Sequence, residues 1–230
     1  MGLTRAIIVF AIFFLVSKAF SHHIVYIYAV KKIAGVPSNF YFIEDSRELC
    51  KYKKVIIYGA ESFKESLNHK CDDQKRIVAA VLYINYFYHP KYIYVSPLPS
   101  LQVLKRYGNA FSFLGTDTFS FYVSYLRKEL KLEVVSLKNW FELERALKEV
   151  KRLGLPLLLL PDPVLMDERA QLILKGQLKD SQIRVINLIG KPLNLPYEVI
   201  INPFQQNYFS FIQKVYFEEP LKEGSIFYWE

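Results

Sequence analysis

The sequence predicts an α/β protein of two lobes, each built around a mainly parallel sheet. Three observations lead there. Short apolar runs alternate with stretches of helical spacing along most of the 230 residues. One run, Leu155–Pro163 (L-P-L-L-L-L-P-D-P), is apolar enough to lie buried on both faces inside a parallel sheet. A composition of 52% hydrophobic and 23% charged residues supplies a sizeable core and argues against wholesale disorder.

The Leu155–Pro163 run organises the rest. Pro161 and Pro163 cannot donate ladder hydrogen bonds, so the strand stops where they begin. Asp162 is left at the carboxyl end of a central strand, the edge where open α/β sheets place ligands. Asp167 can cap the next helix, because its carboxylate accepts from unpaired first-turn N–H groups.

In chain order, Ile24–Val30 reads as the first strand and Phe40–Ile43, after the Gly35-Val36-Pro37 turn, as the second. Ser46–Leu49 starts a short helix. Lys54–Tyr58 is a strand ending at Gly59, with Glu61–His69 as its helix. Ile77–Ile84 and Tyr92–Val95 are strands, and Ser100–Arg106 is helical after the Ser96-Pro97-Leu98-Pro99 corner. Ala110–Leu114 is a strand ending at Gly115-Thr116-Asp117-Thr118, and Phe119–Leu130 is its helix. Leu132–Val135 is the next strand. Trp140–Leu153 is an amphipathic helix with Phe141, Leu143, Ala146, Leu147 and Val150 on one face, closed by Gly154. Leu157–Leu160 is followed by the helix Asp167–Leu178 and the strand Ile183–Leu188. Val199–Ile201, a helix over Phe204–Phe217 and a strand over Ser225–Trp229 finish the chain. The boundary between lobes falls near Tyr107–Ala110, giving lobes over residues 22–108 and 109–230.

The N-terminus reads as an address. Met1–Arg5 is short and basic, Ala6–Val16 is an uninterrupted apolar run, and Ala19 and Ser21 are spaced as a cleavage site. The apolar run falls well short of the ~20 residues a spanning helix needs, so residues 1–21 are expected to be a cleaved secretory signal. An exported chain can carry disulfides. Cys50 lies before a strand and Cys71 after the helix that follows it, which places them at one edge of the sheet. A bridge between them and a pair of free thiols are both compatible with the spacing.

Formal net charge is +8. The lysines are scattered and accompanied by Glu or Asp, as in Arg145–Arg152, so a solvated surface is expected and no nucleic-acid partner. The four histidines lack zinc spacing, and no Walker loop, G-x-G-x-x-G or nucleophile elbow is present. No cofactor and no catalytic set is expected.

The order of landmarks is Tyr58-Gly59-Ala60-Glu61-Ser62-Phe63, then Val95-Ser96-Pro97 leading to Leu101–Leu104, then Phe113–Leu130, and last Glu142–Leu160 closing on Leu160-Pro161-Asp162-Pro163. This order resembles the ABC-transporter substrate-binding family of periplasmic-binding-protein-like fold, in particular relatives concerned with tryptophan and tyrosine uptake. The resemblance implies two Rossmann-like lobes closing on a small organic solute without chemistry, and delivery to an ABC permease in the inner membrane by a monomer. The chain departs from the family pattern twice. The segment between Ile24 and Gly59 is too short for two strand–helix units, so a trimmed first lobe is expected. The C-terminus finishes at Gly224–Trp229 without a longer return segment.

A cleft in such a fold draws its residues from carboxyl ends of strands and the helix starts beyond them. That selects Gly59, Ala60, Glu61, Ser96, Thr116, Asp117, Thr118 and Asp162 as ligand-binding candidates. Loop N–H groups and hydroxyls would hold a ligand carboxylate, while Asp117 or Asp162 would hold an amino group. Each also has a purely structural use: Asp117 and Thr118 as helix caps, Ser96 as organiser of a proline turn. The functional expectation is solute binding. A sensor or scaffold that contacts a membrane partner through the same fold is the alternative, and an exported hydrolase lacks an identifiable catalytic set.

Overall fold

The computed structural model describes residues 24–202 and 207–229; residues 1–21, expected to be a secretory signal, lie outside the described residues. It contains two separate sheets, and every strand pair in both is parallel. The first sheet holds β1 (Val25–Tyr28), β2 (Phe40–Ile43), β3 (Lys54–Tyr58), β4 (Lys75–Ala79), β5 (Ile93–Pro99) and β11 (Ile226–Trp229), in the order β11-β5-β4-β3-β1-β2. The second holds β6 (Ala110–Gly115), β7 (Lys131–Ser136), β8 (Leu157–Leu159), β9 (Val185–Asn187) and β10 (Glu198–Ile200), in the order β10-β9-β8-β6-β7.

Both sheets therefore repeat one pattern. The first two strands are laid down in reverse, and the remaining strands continue on the other side of the first. The direction of winding changes between β1 and β3 in one sheet and between β6 and β8 in the other. Crevices outside the carboxyl ends open at such switch points.

Side-chain alternation explains how each sheet buries both faces. In the second, Phe111, Phe113, Leu158 and Ile186 face the helices α3 (Leu101–Lys105) and α4 (Ser120–Leu126). Leu114, Leu157, Leu159 and Val185 face α5 (Leu143–Leu153) and α6 (Glu168–Leu178). Leu157 to Leu160 are all fully buried, as a strand covered on both sides requires. Asp167 caps α6 by accepting from Arg169 N at 2.8 Å, and Gly154 ends α5 in the left-handed region at φ 64°.

In the first sheet, α1 (Ala60–Ser66), the 3-10 turn Ser46–Lys51 and α2 (Ile84–Phe87) cover one face, centred on Tyr28, Val55, Ile57, Val78 and Tyr94. The other face is covered by α7 (Tyr208–Phe217) through Tyr208, Ile212, Val215 and Tyr216. β1 and β2 are joined by a connection without a helix, and the first sheet holds six strands among the described residues.

The chain's end corrects one boundary. The second lobe was expected to run over 109–230, with no long return segment. Instead α7 crosses back over the first sheet, and β11 pairs with β5 from Ile226↔Tyr94 onward. β11 closes the open edge of β5, whose Tyr94 N donates to Ser225 O at 2.8 Å, while Ser100 N donates to Trp229 O at 2.7 Å. Cys50 and Cys71 are bridged, with Cα atoms 5.1 Å apart, so of the two alternatives the disulfide is the one present. Among the described residues no helix is long and apolar enough to cross a membrane.

Candidate functional site

Carboxyl ends of strands from both sheets meet along one seam. The loop after β4 supplies Tyr83, whose hydroxyl donates to Pro161 O at 2.9 Å, just past β8. Its ring packs edge-on against Phe119 with centroids 5.6 Å apart. Asn85 follows: its amide nitrogen donates to Asp117 O at 3.0 Å and Ser120 Oγ at 2.5 Å, while its oxygen accepts from Phe121 N at 3.2 Å. Asn85 thus latches the first lobe to the start of α4 in the second.

The seam's inner part is filled. Tyr122 Oη donates to Pro99 O at 2.7 Å, and Tyr125 Oη accepts from Leu101 N at 3.0 Å. Both rings pack on Tyr228 of β11, Tyr125 stacked at 4.1 Å and Tyr122 tilted at 5.2 Å. Trp229 Nε1 donates to Pro97 O at 2.7 Å. Ser96 belongs here, fully buried, with its hydroxyl accepting from Leu98 N across Pro97 at 3.2 Å.

The switch point of the second sheet is closed by Asp162. Its side chain is fully buried. Oδ2 accepts from Thr116 N at 2.8 Å and Thr116 Oγ1 at 2.7 Å, and Oδ1 accepts from Val164 N at 2.9 Å. A buried carboxylate needs such partners, and here they all come from the protein's own loops. Burial, with the Asp162 carboxylate as a lesser cause, pushes the Tyr83 phenol up.

Outside this tie lies a groove of about 650 Å³. Thr116, Asp117, Thr118 and Ser120 form one wall, Ser136, Leu137 and Lys138 from the end of β7 another, with Arg127 and Tyr86 at the rim. Phe113, Val123, Val134 and Pro163 supply the groove's apolar lining. The size and the mix of apolar surface with a few polar groups suit a small organic molecule. Asp117 is exposed, whereas the Thr118 side chain is turned inward to Thr116 Oγ1 at 2.6 Å. Thr116 acts as the cap, accepting from Thr118 N at 3.3 Å. Among the described residues neither Arg127 nor Lys138 has a carboxylate within ion-pair distance.

The structure thus brings together Thr116, Asp117, Thr118 and, beneath them, Asp162. Gly59, Ala60 and Glu61 sit apart, at the switch point of the first sheet. Gly59 holds φ 86°, a conformation glycine reaches without strain, and turns the chain from β3 into α1. That edge is closed locally: Val30 N donates to Ser62 Oγ at 3.0 Å, and Lys31 pairs with Glu61 at 3.0 Å. Phe209 stacks on Tyr58 at 5.7 Å, and Tyr208 Oη accepts from Ala80 N and donates to Val95 O. Asn85, Tyr86, Arg127 and Lys138 were not singled out by sequence reasoning. Exposed polar residues on helices and loops carry no periodic signal; the return of β4's loop brings Asn85 and Tyr86 to the second lobe, and the pairing of β6 with β7 sets Arg127 and Lys138 around one groove. Among the described residues no group of three or more His, Cys, Asp or Glu side chains is placed to hold a metal.

No family model and no curated protein matches the chain. Several solved structures align with most of it at low identity. One is an ABC domain in complex with L-Trp from Streptococcus pneumonia, 11% identical over 89% of each chain, with a TM-score of 0.41. Another is a conserved domain protein from Vibrio cholerae, 8% identical over 88% of this chain and 87% of that one, at 0.44. A third is the ligand-free, open structure of a substrate binding protein with adhesive properties from Clostridium difficile, 11% identical over 89% and 88%, at 0.48. The fold described here rests on the strand orders and pairings themselves.

Proposed function

We propose that this protein is an exported solute-binding component of an ABC-type uptake system. In this reading it holds a small organic solute, an amino acid or related carboxylate, without performing chemistry on it, and passes it to a membrane permease. One observation carries the proposal: the groove at the carboxyl ends of β6 and β7, beside the Asp162 tie and edged by Tyr86 of the first lobe and Pro163 of the loop after β8. Its polar groups suit a zwitterion. Arg127 and Lys138 offer positive charge to a carboxylate, and Asp117 offers an acceptor to an amino group.

A thermal-shift screen of the purified protein against amino acids and small organic acids tests this. A ligand binding only the folded state adds about 2.7 kcal/mol at a hundredfold excess over its dissociation constant. A shift confined to one chemical class, abolished by Arg127→Ala or Lys138→Ala, is expected. Retention of the shift in both variants would move the site elsewhere.

The filled inner seam favours a second reading, a sensor or scaffold that contacts a membrane partner and has lost its solute. Tyr122, Tyr125, Tyr228 and Trp229 occupy the space between lobes with their own hydrogen bonds satisfied there or packed ring on ring. A folded protein with no shift across the whole screen is the result this reading expects.

A further inference from the structure

Arg76 is a buried cation, 4% exposed, and every one of its donors goes to a neutral acceptor. Nε donates to Gln74 Oε1 at 2.8 Å; Nη1 donates to Ser66 O at 2.6 Å and Tyr92 Oη at 3.2 Å. Nη2 donates to His69 O and, at 3.2 Å, to Cys71 Sγ of the disulfide. Among the described residues no carboxylate lies within ion-pair distance of it. The charges flanking Cys71 in sequence, Lys70 and Asp72, are both exposed and of opposite sign. A desolvated guanidinium without a counterion favours any process that places an anion beside it. Cleavage of the Cys50–Cys71 bond does so when Cys71 departs as a thiolate.

We propose that Cys50–Cys71 is a thiol–disulfide exchange site with a fixed polarity, serving a dithiol reductant. Cys50 is the exposed partner and takes the nucleophile; Cys71, half-buried against Arg76, is the leaving group. One thiolate of the dithiol forms a bond to Cys50 Sγ as the Cys50–Cys71 bond breaks, its electron pair passing to Cys71 Sγ. The second thiol then attacks the reductant's own sulfur in the mixed disulfide. This closes the reductant's disulfide and releases Cys50, which takes up a proton. The dithiol loses two electrons and two protons; one proton ends on Cys50 and the other in solvent, and Cys71 remains a thiolate paired with Arg76.

The segment carrying Cys50 stays in place after reduction. Gln74 Nε2 donates to Leu49 O at 2.5 Å and Tyr52 O at 2.8 Å, independently of the bridge. The two sulfurs therefore remain neighbours, and oxidation restores the starting state.

The oxidised protein is treated briefly with a monothiol, the remaining free thiols are alkylated, and the peptides are mapped by mass spectrometry. The monothiol is expected on Cys50 with the alkyl group on Cys71; the reverse pattern, or equal labelling of both, overturns the proposal. Cys50→Ser and Cys71→Ser each leave one thiol, whose alkylation rate is followed against pH. The Cys71 thiol in Cys50→Ser should titrate below the ordinary value of about 8.5 and below the Cys50 thiol in Cys71→Ser. Equal midpoints overturn the role of Arg76. In Arg76→Met, where it folds, the Cys71 midpoint should return towards about 8.5 and reduction by dithiothreitol should slow roughly threefold or more.

Discussion

The Thr116 hydroxyl and the Asp162 carboxylate meet at 2.7 Å across the switch point of the second sheet. The Thr116 amide donates to the same oxygen, so one buried side chain fixes the loops leaving β6 and β8. It also leaves no room behind them: a Cβ on Gly115 would stand 2.7 Å from the Phe113 ring and 3.2 Å from Asp162 Oδ2.

Asp162→Ala would strand the Thr116 and Val164 amides in the interior. It is expected to lower the unfolding free energy by about 2 to 4 kcal/mol, with Thr116→Val costing about 1 kcal/mol. Urea denaturation measures both. If Asp162→Ala stays within about 0.5 kcal/mol of the parent, as a neutral surface change would, the tie is not structural.

Tyr122→Phe removes the buried donor to Pro99 O and is expected to cost about 1 to 2 kcal/mol. Tyr228→Ala removes the ring shared by Tyr122 and Tyr125 and should cost about 2 to 4 kcal/mol. Small-angle scattering on Tyr228→Ala should show a larger radius of gyration, because the seam loses its central ring. An unchanged radius would mean that the Asn85 latch and the chain connections hold the lobes without the ring.

Acid should weaken the first lobe through Glu219. Hydrogen bonds from Lys54 and Lys75 hold its carboxyl down to about 2, below the roughly 4.3 of an unfolded chain. A lowered folded value stabilises above about pH 4.3, and that contribution disappears as pH falls towards about 2. The stability difference between the parent and Glu219→Gln should therefore shrink over that window. It should also shrink in high salt, since Glu219 is half exposed. A difference constant from pH 7 to pH 2 would show that the pair contributes nothing.

Alkali acts in the opposite sense. Burial pushes the Tyr94 phenol up to about 12, and burial with Glu65 pushes Tyr28 to about 12 as well. Raised folded values stabilise fully below the unfolded value of about 10, and that stability is lost as pH rises through about 12. Ultraviolet titration should show one set of phenols ionising near 10 and a second set appearing only with unfolding. A single wave near 10 with the fold intact would contradict this.

Much of the fold was legible because burial on two faces leaves a plain mark. Leu157–Leu160 reads as a central strand from its apolar run alone, and Asp167 and Gly154 bracket their helices through cap chemistry. The C-terminal segment was misassigned because Ile226–Trp229 has the pattern of any buried strand, and pattern does not say which sheet has an open edge. β5 also runs on through Pro97 and Pro99, where a stop was expected. β4 pairs only as far as Val95, so beyond it the prolines face no ladder on that side, and a register shift between Tyr228 and Trp229 absorbs them. At the candidate groove, Thr116, Asp117 and Thr118 were visible as a turn after a strand. Arg127 and Lys138 were not, because exposed charges at element ends carry no periodic signal, and Asn85 was not, because its position follows from how the two lobes meet.

β11, the last strand among the described residues, completes the first sheet. On the ribosome, the second sheet has all its strands once Ile200 has emerged, whereas β5 waits for Trp229. The lobe begun first is thus finished last, and birth order and folding order are inverted. Chains stalled after Ile201 should already protect the second lobe from protease, while the first lobe becomes resistant only once β11 has emerged; simultaneous protection of both would refute this order.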